Sequence, residues 1–219
     1  RDPDAAGLPE ANRIDLVESD FADCAALRRR VDLTTPKKYD FVYCLPRERR
    51  DNDAKEQCSL GWQAYHRNWQ LAQMCLQTFQ QMGLKGVLVG RTCSSIHGVT
   101  VLPTLRYASF LQVLRESRFL FLPGIVEASP RKITEALCLD TPVLMNRHIM
   151  GGWKYITKET GVFFTDENDV SAAARRVLQL SNTRATFERH WGRANASRRM
   201  AKLLRQIGIA TDDTVMLKI

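Results

Sequence analysis

The sequence predicts a doubly wound α/β domain, an open parallel sheet with helices on both faces. Three observations predict it. The strand-like segments are near-continuous apolar runs, such as Phe119-Leu120-Phe121-Leu122, rather than alternations of apolar and polar residues, which marks strands buried on both faces. They alternate along the chain with segments of helical period. Glycine and proline punctuate the joins.

Taken in order, residues 1–36 are acidic then basic and end at Pro36-Lys37-Lys38 without a sustained apolar pattern. They read as a linker or the remnant of an upstream domain, with one short helix over 21–31. The compact domain is expected over 37–208, with a tail over 209–219. It opens with a strand over 39–45, stopped by Pro46 and followed by a charged loop over 47–57. Trp62, Tyr65, Trp69, Ala72, Leu76 and Phe79 recur at steps of three and four, one face of a helix that Gly83 closes. Two short strands follow over 86–90 and 99–103, then a helix over 108–115 and a buried strand over 119–122. A helix over 131–139 leads into a strand over 142–145. A shorter helix near 152–157 and a last strand over 162–164 precede helices over 169–180 and 183–207.

Composition narrows the function classes. The chain has 219 residues, 44% hydrophobic and 26% charged, an ordinary globular balance. No apolar run reaches the roughly 18–20 residues of a membrane span. Lys and Arg total 32 against 24 for Asp and Glu, a net charge of +8, which favours anionic partners without choosing among them. The chain opens Arg1-Asp2-Pro3-Asp4, not with Met, and no signal-peptide pattern follows, so a piece of a longer polypeptide or a processed product is expected. Cys24, Cys44, Cys58, Cys75, Cys93 and Cys138 share no metal-ligand spacing. Cys44, Cys75 and Cys138 read as small core hydrophobes, and the scatter suggests a reducing compartment. The expected location is cytoplasmic, with the secretory-pathway lumen left open. Asn195-Ala196-Ser197 fits a glycosylation sequon but lies in a helical stretch. His66, His97, His148 and His190 show no ligand spacing either, and no metal is expected.

In an open parallel sheet, ligands bind outside the carboxyl ends of the strands. The richest loop there is Pro123-Gly124-Ile125-Val126-Glu127-Ala128-Ser129-Pro130, which runs into a helix carrying Arg131, Lys132 and Glu135. Ser129 suits a helix cap and Pro130 a first turn. The amides at that helix start form a site for a phosphate. Carboxylates beside it suit the adjacent hydroxyls of a ribose or hexose. By spacing alone, Glu127 equally well counters Arg131 or Lys132 while Glu135 faces solvent.

The surrounding residues weigh between these readings. The run 117–130, then Glu135-Ala136-Leu137-Cys138-Leu139-Asp140-Thr141-Pro142-Val143-Leu144, resembles the C-terminal, nucleotide-sugar-binding domain of retaining GT-B glycosyltransferases. That family carries a strand ending in Pro, a Glu-seven residues-Glu motif, and a Thr-Pro-Val strand. The match extends through Gly151-Gly152 to Thr160-Gly161-Val162-Phe163-Phe164 and is dense over 118–164. The resemblance implies a Rossmann-like GT-B half and a retaining hexosyl or deoxyhexosyl transfer. Its substrates would be a nucleoside-diphosphate sugar and a saccharide acceptor, with no other cofactor. It implies that Glu127, the catalytic candidate, contacts hydroxyls of the donor sugar and that Glu135 holds the nucleotide ribose. Amides of Ser129, Pro130-Arg131 and Lys132 would face the diphosphate or sugar. Arg47, Arg49 and Arg50, with Arg67 on the following helix, are candidates to neutralise the diphosphate. Gly90, Arg91, Leu105 and Arg106 stand where such proteins hold phosphate and base. Ala128 replaces the family's usual glycine.

The 36 residues before the compact domain are too few for a second doubly wound domain, so an upstream domain or a partner chain is expected to supply the acceptor site. Two other readings stand beside this one. One is a nucleotide-sugar-binding module that performs no transfer. The other is a nucleic-acid-binding protein using the basic last helix, though no nucleic-acid motif accompanies it.

Overall fold

The computed structural model describes residues 13–45, 65–90, 96–127 and 129–209. Six strands form one sheet: β1 (Tyr39–Leu45), β2 (Gly86–Gly90), β3 (Val99–Leu102), β4 (Ser117–Leu122), β5 (Val143–Asn146) and β6 (Gly161–Phe164). Their spatial order is β3-β2-β1-β4-β5-β6 and every neighbouring pair is parallel. The chain winds outward from β1 to β3, then returns to β4 on the other side of β1. The switch point therefore lies between the carboxyl ends of β1 and β4, the expected place for a ligand crevice.

These helices accompany the sheet: α1 (Cys24–Arg28), α2 (Trp69–Gln81), α3 (Tyr107–Arg115), α4 (Arg131–Cys138), α5 (Val170–Val177), α6 (Thr183–His190) and α7 (Arg193–Gln206). Strand side chains alternate between two layers because the strand period is two. Phe41, Tyr43, Phe119, Phe121, Leu144 and Phe164 meet α2 and α5 in one layer. Val42, Leu120, Leu122, Val143 and Met145 meet α3 and α4 in the other. Phe79 of α2 stands edge-on to Phe119 and Phe121, with centroids 5.8 and 5.0 Å away, the geometry that aromatic quadrupoles favour. The end of α2 carries a paired closure: Gly83 N donates to Gln80 O and Leu84 N to Phe79 O.

The structure corrects several expectations. The described part of the presumed linker, residues 13–36, is packed onto the domain. It forms a 3-10 turn (Glu18–Phe21) and α1. Asp20 is buried, and its carboxylate accepts from Val17 N, Tyr155 Oη and Lys154 Nζ at 2.7–2.9 Å. Cys24 and Cys138 are joined by a disulfide. Cys138 is therefore not simply a core hydrophobe, and the bond runs against the reducing compartment read from the scattered cysteines. Cys44 and Cys75 are free, while Cys58 and Cys93 lie outside the described residues.

The helix expected from Trp62 is interrupted: Tyr65 and His66 are helical, the chain turns at Arg67 and Asn68, the latter at φ 49°, and the long helix starts at Trp69; Trp62 lies outside the described residues. The segment near 152–157 is a short 3-10 turn over Trp153–Tyr155. The long terminal helix is two helices, broken at Trp191 and Gly192. No helix among the described residues is long and apolar enough to cross a membrane. The sequon asparagine, Asn195, is engaged inside α7, donating from Nδ2 to the carbonyls of Glu188 and Trp191.

Candidate active site

Hydrogen bonds stitch together the loops at the carboxyl ends of the three adjacent strands β1, β4 and β5. Ile125 N donates to His66 O, and Met150 N donates to Ile125 O, each at 3.0 Å. Asn146 at the end of β5 donates to Pro123 O at 2.9 Å and accepts from His148 N. Gly152, at φ 86°, lies against the start of α4, where a Cβ would stand 2.7 Å from Pro130 Cγ and 2.8 Å from Ile133 Cδ1. Only glycine satisfies that backbone and that approach together. The second glycine of the pair read in the sequence thus serves as a close-packed support for the start of α4.

At this edge Arg67, just before α2, points its Nη1 at the Glu127 carboxylate and forms an ion pair across the switch point. Neither Arg131 nor Lys132 takes that role. Arg131 instead pairs with Glu18 at 3.2 Å, with both side chains largely exposed, so this contact adds little stability. Ser129 does not cap α4. Its hydroxyl bonds to Ser19 Oγ at 3.0 Å, and Pro130 occupies the cap position without a side-chain cap. The packed N-terminal turn has captured the serine, and the start of α4 keeps its amides clear of side-chain caps.

Glu135 does not face solvent. It is 8% exposed, and its Oε1 accepts a 2.8 Å hydrogen bond from Tyr107 Oη. Burial raises its pKa above the usual carboxylate range, opposed by the Tyr107 bond and then by Arg131 and Lys132. Tyr107 is pushed up to about 12, by burial first and then by its bond to Glu135. The guanidinium of Arg30 lies 6.0 Å from the Tyr107 ring centre. Beneath the site, burial pushes the Cys44 thiol up to about 11, so it stays protonated near neutrality.

Of the other candidates, Gly90 closes β2 and pairs in register with Leu45. Leu105 packs against the core, and Arg106 is exposed where it precedes α3. Arg47, Arg49, Arg50, Arg91 and Ala128 lie outside the described residues. Among the described residues no group of three or more His, Cys, Asp or Glu is gathered as a metal site. Sequence reading missed Tyr107, although its place directly after Leu105-Arg106 was an available signal. Nothing in the sequence pointed to Ser19, which lies 110 residues from Ser129.

No protein-family model matches the chain, and no curated protein does. Solved structures do. AviGT4, a glycosyltransferase involved in avilamycin A biosynthesis, is 16% identical with a TM-score of 0.54, over 89% of this chain and 58% of that one. Sucrose-phosphate synthase from Thermosynechococcus elongatus is 18% identical with a TM-score of 0.50, over 86% of this chain and 50% of that one. A chain of the GtfA/B complex is 12% identical with a TM-score of 0.53, over 80% of this chain and 38% of that one. The chain thus spans 58% or less of each of these proteins. At such identities the likeness is one of fold, and the fold is that of a GT-B-like domain.

Proposed function

We propose that the chain is the donor domain of a retaining glycosyltransferase, binding a nucleoside-diphosphate sugar in the crevice between β1 and β4. One observation carries the reading: two carboxylates separated by seven residues are held at the same strand end by different partners, Glu127 by an arginine and Glu135 by a tyrosine. In this reading Glu135 accepts hydrogen bonds from the ribose and Glu127 from the sugar. Arg67, Lys132 and the amides at the start of α4 neutralise the diphosphate as its bond to the anomeric carbon breaks. Arg47, Arg49 and Arg91 are proposed to add to that charge. The acceptor hydroxyl attacks on the face from which the diphosphate departs, and an upstream domain or partner chain holds that acceptor.

Calorimetry and thermal shift with UDP, GDP, ADP and dTDP, and with their sugars, test the reading. One base series should stabilise the fold by mass action. No binding by any of them at millimolar concentration overturns it. Slow or absent transfer by a chain that binds donor, restored by adding the acceptor-binding part, separates a donor domain from a module that performs no transfer.

A further inference from the structure

We infer that Tyr107 is a positioning residue of the proposed nucleotide site, holding Glu135 so that its second oxygen accepts hydrogen bonds from the vicinal hydroxyls of a ribose. The inference rests on the donor-domain reading. Its geometry is independent of that reading. Tyr107 Oη donates to Glu135 Oε1 at 2.8 Å, and among the described residues the carboxylate has no other hydrogen-bond partner. Oε2 is therefore left for a ligand. The terminal torsion of a glutamate is broad and nearly two-fold, so an unheld carboxylate would turn freely. One short bond from a tyrosine fixes it. The tyrosine is itself held: it begins α3, and the guanidinium of Arg30 stands over its ring. Its phenolic oxygen, while the O–H donates a hydrogen bond to Glu135, still accepts, so a diol has two adjacent acceptors to meet.

The bond also sets charge. Glu135 is faced by Tyr107 from α3, by Arg131 and Lys132 from its own helix, and by Cys44 from β1. Burial favours the neutral acid, whereas the tyrosine bond favours the carboxylate. Removing the hydroxyl moves Glu135 further up. Diol binding, which needs the carboxylate, is then lost at a higher pH on the acid side.

The test is Tyr107→Phe, measured by calorimetry with UDP, GDP and ADP and with their 2′,3′-dideoxy forms across pH 4–8. The wild type should prefer the ribose form of the best-bound nucleotide. In the variant, affinity for that form should fall about tenfold, the scale of one charge-assisted hydrogen bond. The ribose preference should shrink toward one, and the acid limb should move to higher pH. Introduced into Glu135→Gln, the same change should cost little more. A variant that keeps the wild-type preference and acid limb overturns the inference. If the wild type binds none of the probes, the donor-domain reading falls by itself. The titration of Glu135, followed by carbon-13 NMR, then decides on Tyr107: a higher value in Tyr107→Phe supports its hold on Glu135, and an unchanged value overturns it.

Discussion

Arg67 and Glu127 meet with side chains only 16% and 19% exposed, so the guanidinium is committed to a carboxylate. In the proposed donor site a diphosphate would draw on the same guanidinium. Glu127 therefore competes for Arg67 with the leaving group it is proposed to sit beside, whereas Glu135 is held by Tyr107. The two acids should then separate in binding. Glu135→Ala is expected to weaken a bare nucleoside diphosphate by about 10- to 150-fold, the range for a lost hydrogen bond to a charged group. Glu127→Gln is expected to strengthen it by roughly two- to fivefold, as an ion pair of up to about 1 kcal/mol implies, and to weaken the nucleotide sugar. Equal, small effects of both changes on both ligands, measured by calorimetry, would sink this division. The glutamate pair itself was legible in the sequence, because its spacing and the helix start between the two acids are local. Their partners were not, since Arg67 lies 60 residues from Glu127 and Tyr107 lies 28 from Glu135. Only the sheet order brings those loops together.

At the scale of elements, all six strands fall where the sequence predicts them, because the inner strands, buried on both faces, leave a mark that no surface helix shares, while the partly exposed edge strand β3 is bounded by Gly98 and Pro103. The end of the chain shows the converse. Residues 183–207 keep a helical composition throughout, and a lone glycine within such a stretch does not announce a break. Yet Trp191 is extended and Gly192 lies at φ 81°, ψ 166°, a region essentially reserved for glycine. The break turns the chain so that Arg193 N reaches Ala22 O at 3.0 Å and α7 packs on the N-terminal turn. Trp191 then joins Tyr155 and Phe187, with ring centres 5.6 and 6.1 Å away. A Cβ at Gly192 would meet nothing closer than 3.5 Å, so the cost of Gly192→Ala is backbone strain rather than collision. The expected loss is about 1–3 kcal/mol, read from the urea midpoint. An unchanged midpoint would show that the junction adopts another backbone at little cost.

For the molecule as a whole, the unexpected part is the N-terminal segment, three of whose contacts bear on α4. Asp20 is buried against Lys154 and Tyr155, Ser19 meets Ser129, and Cys24 is bonded to Cys138. Each contact falls on α4 or on a loop that supports it, so the segment braces the helix that carries Glu135. None of this was readable from cysteines 114 residues apart, because pairing depends on which helix α1 docks against. A cross-link closing so long a loop restricts the unfolded chain strongly. Reduction is therefore expected to lower stability by about 2–5 kcal/mol. Both cysteines belong to the layer under α3 and α4, whereas the layer under α2 and α5 contains neither, so the reduced protein should still fold and should lose order first around α1 and the start of α4. Urea denaturation with and without a thiol-free reductant measures the first effect, and hydrogen exchange at residues 18–30 and 129–138 measures the second. Cys24→Ala should match the reduced wild type and ignore the reductant. A midpoint that neither reductant nor substitution moves would mean that burial of Asp20 and the packing of α1, not the covalent bond, hold the brace in place.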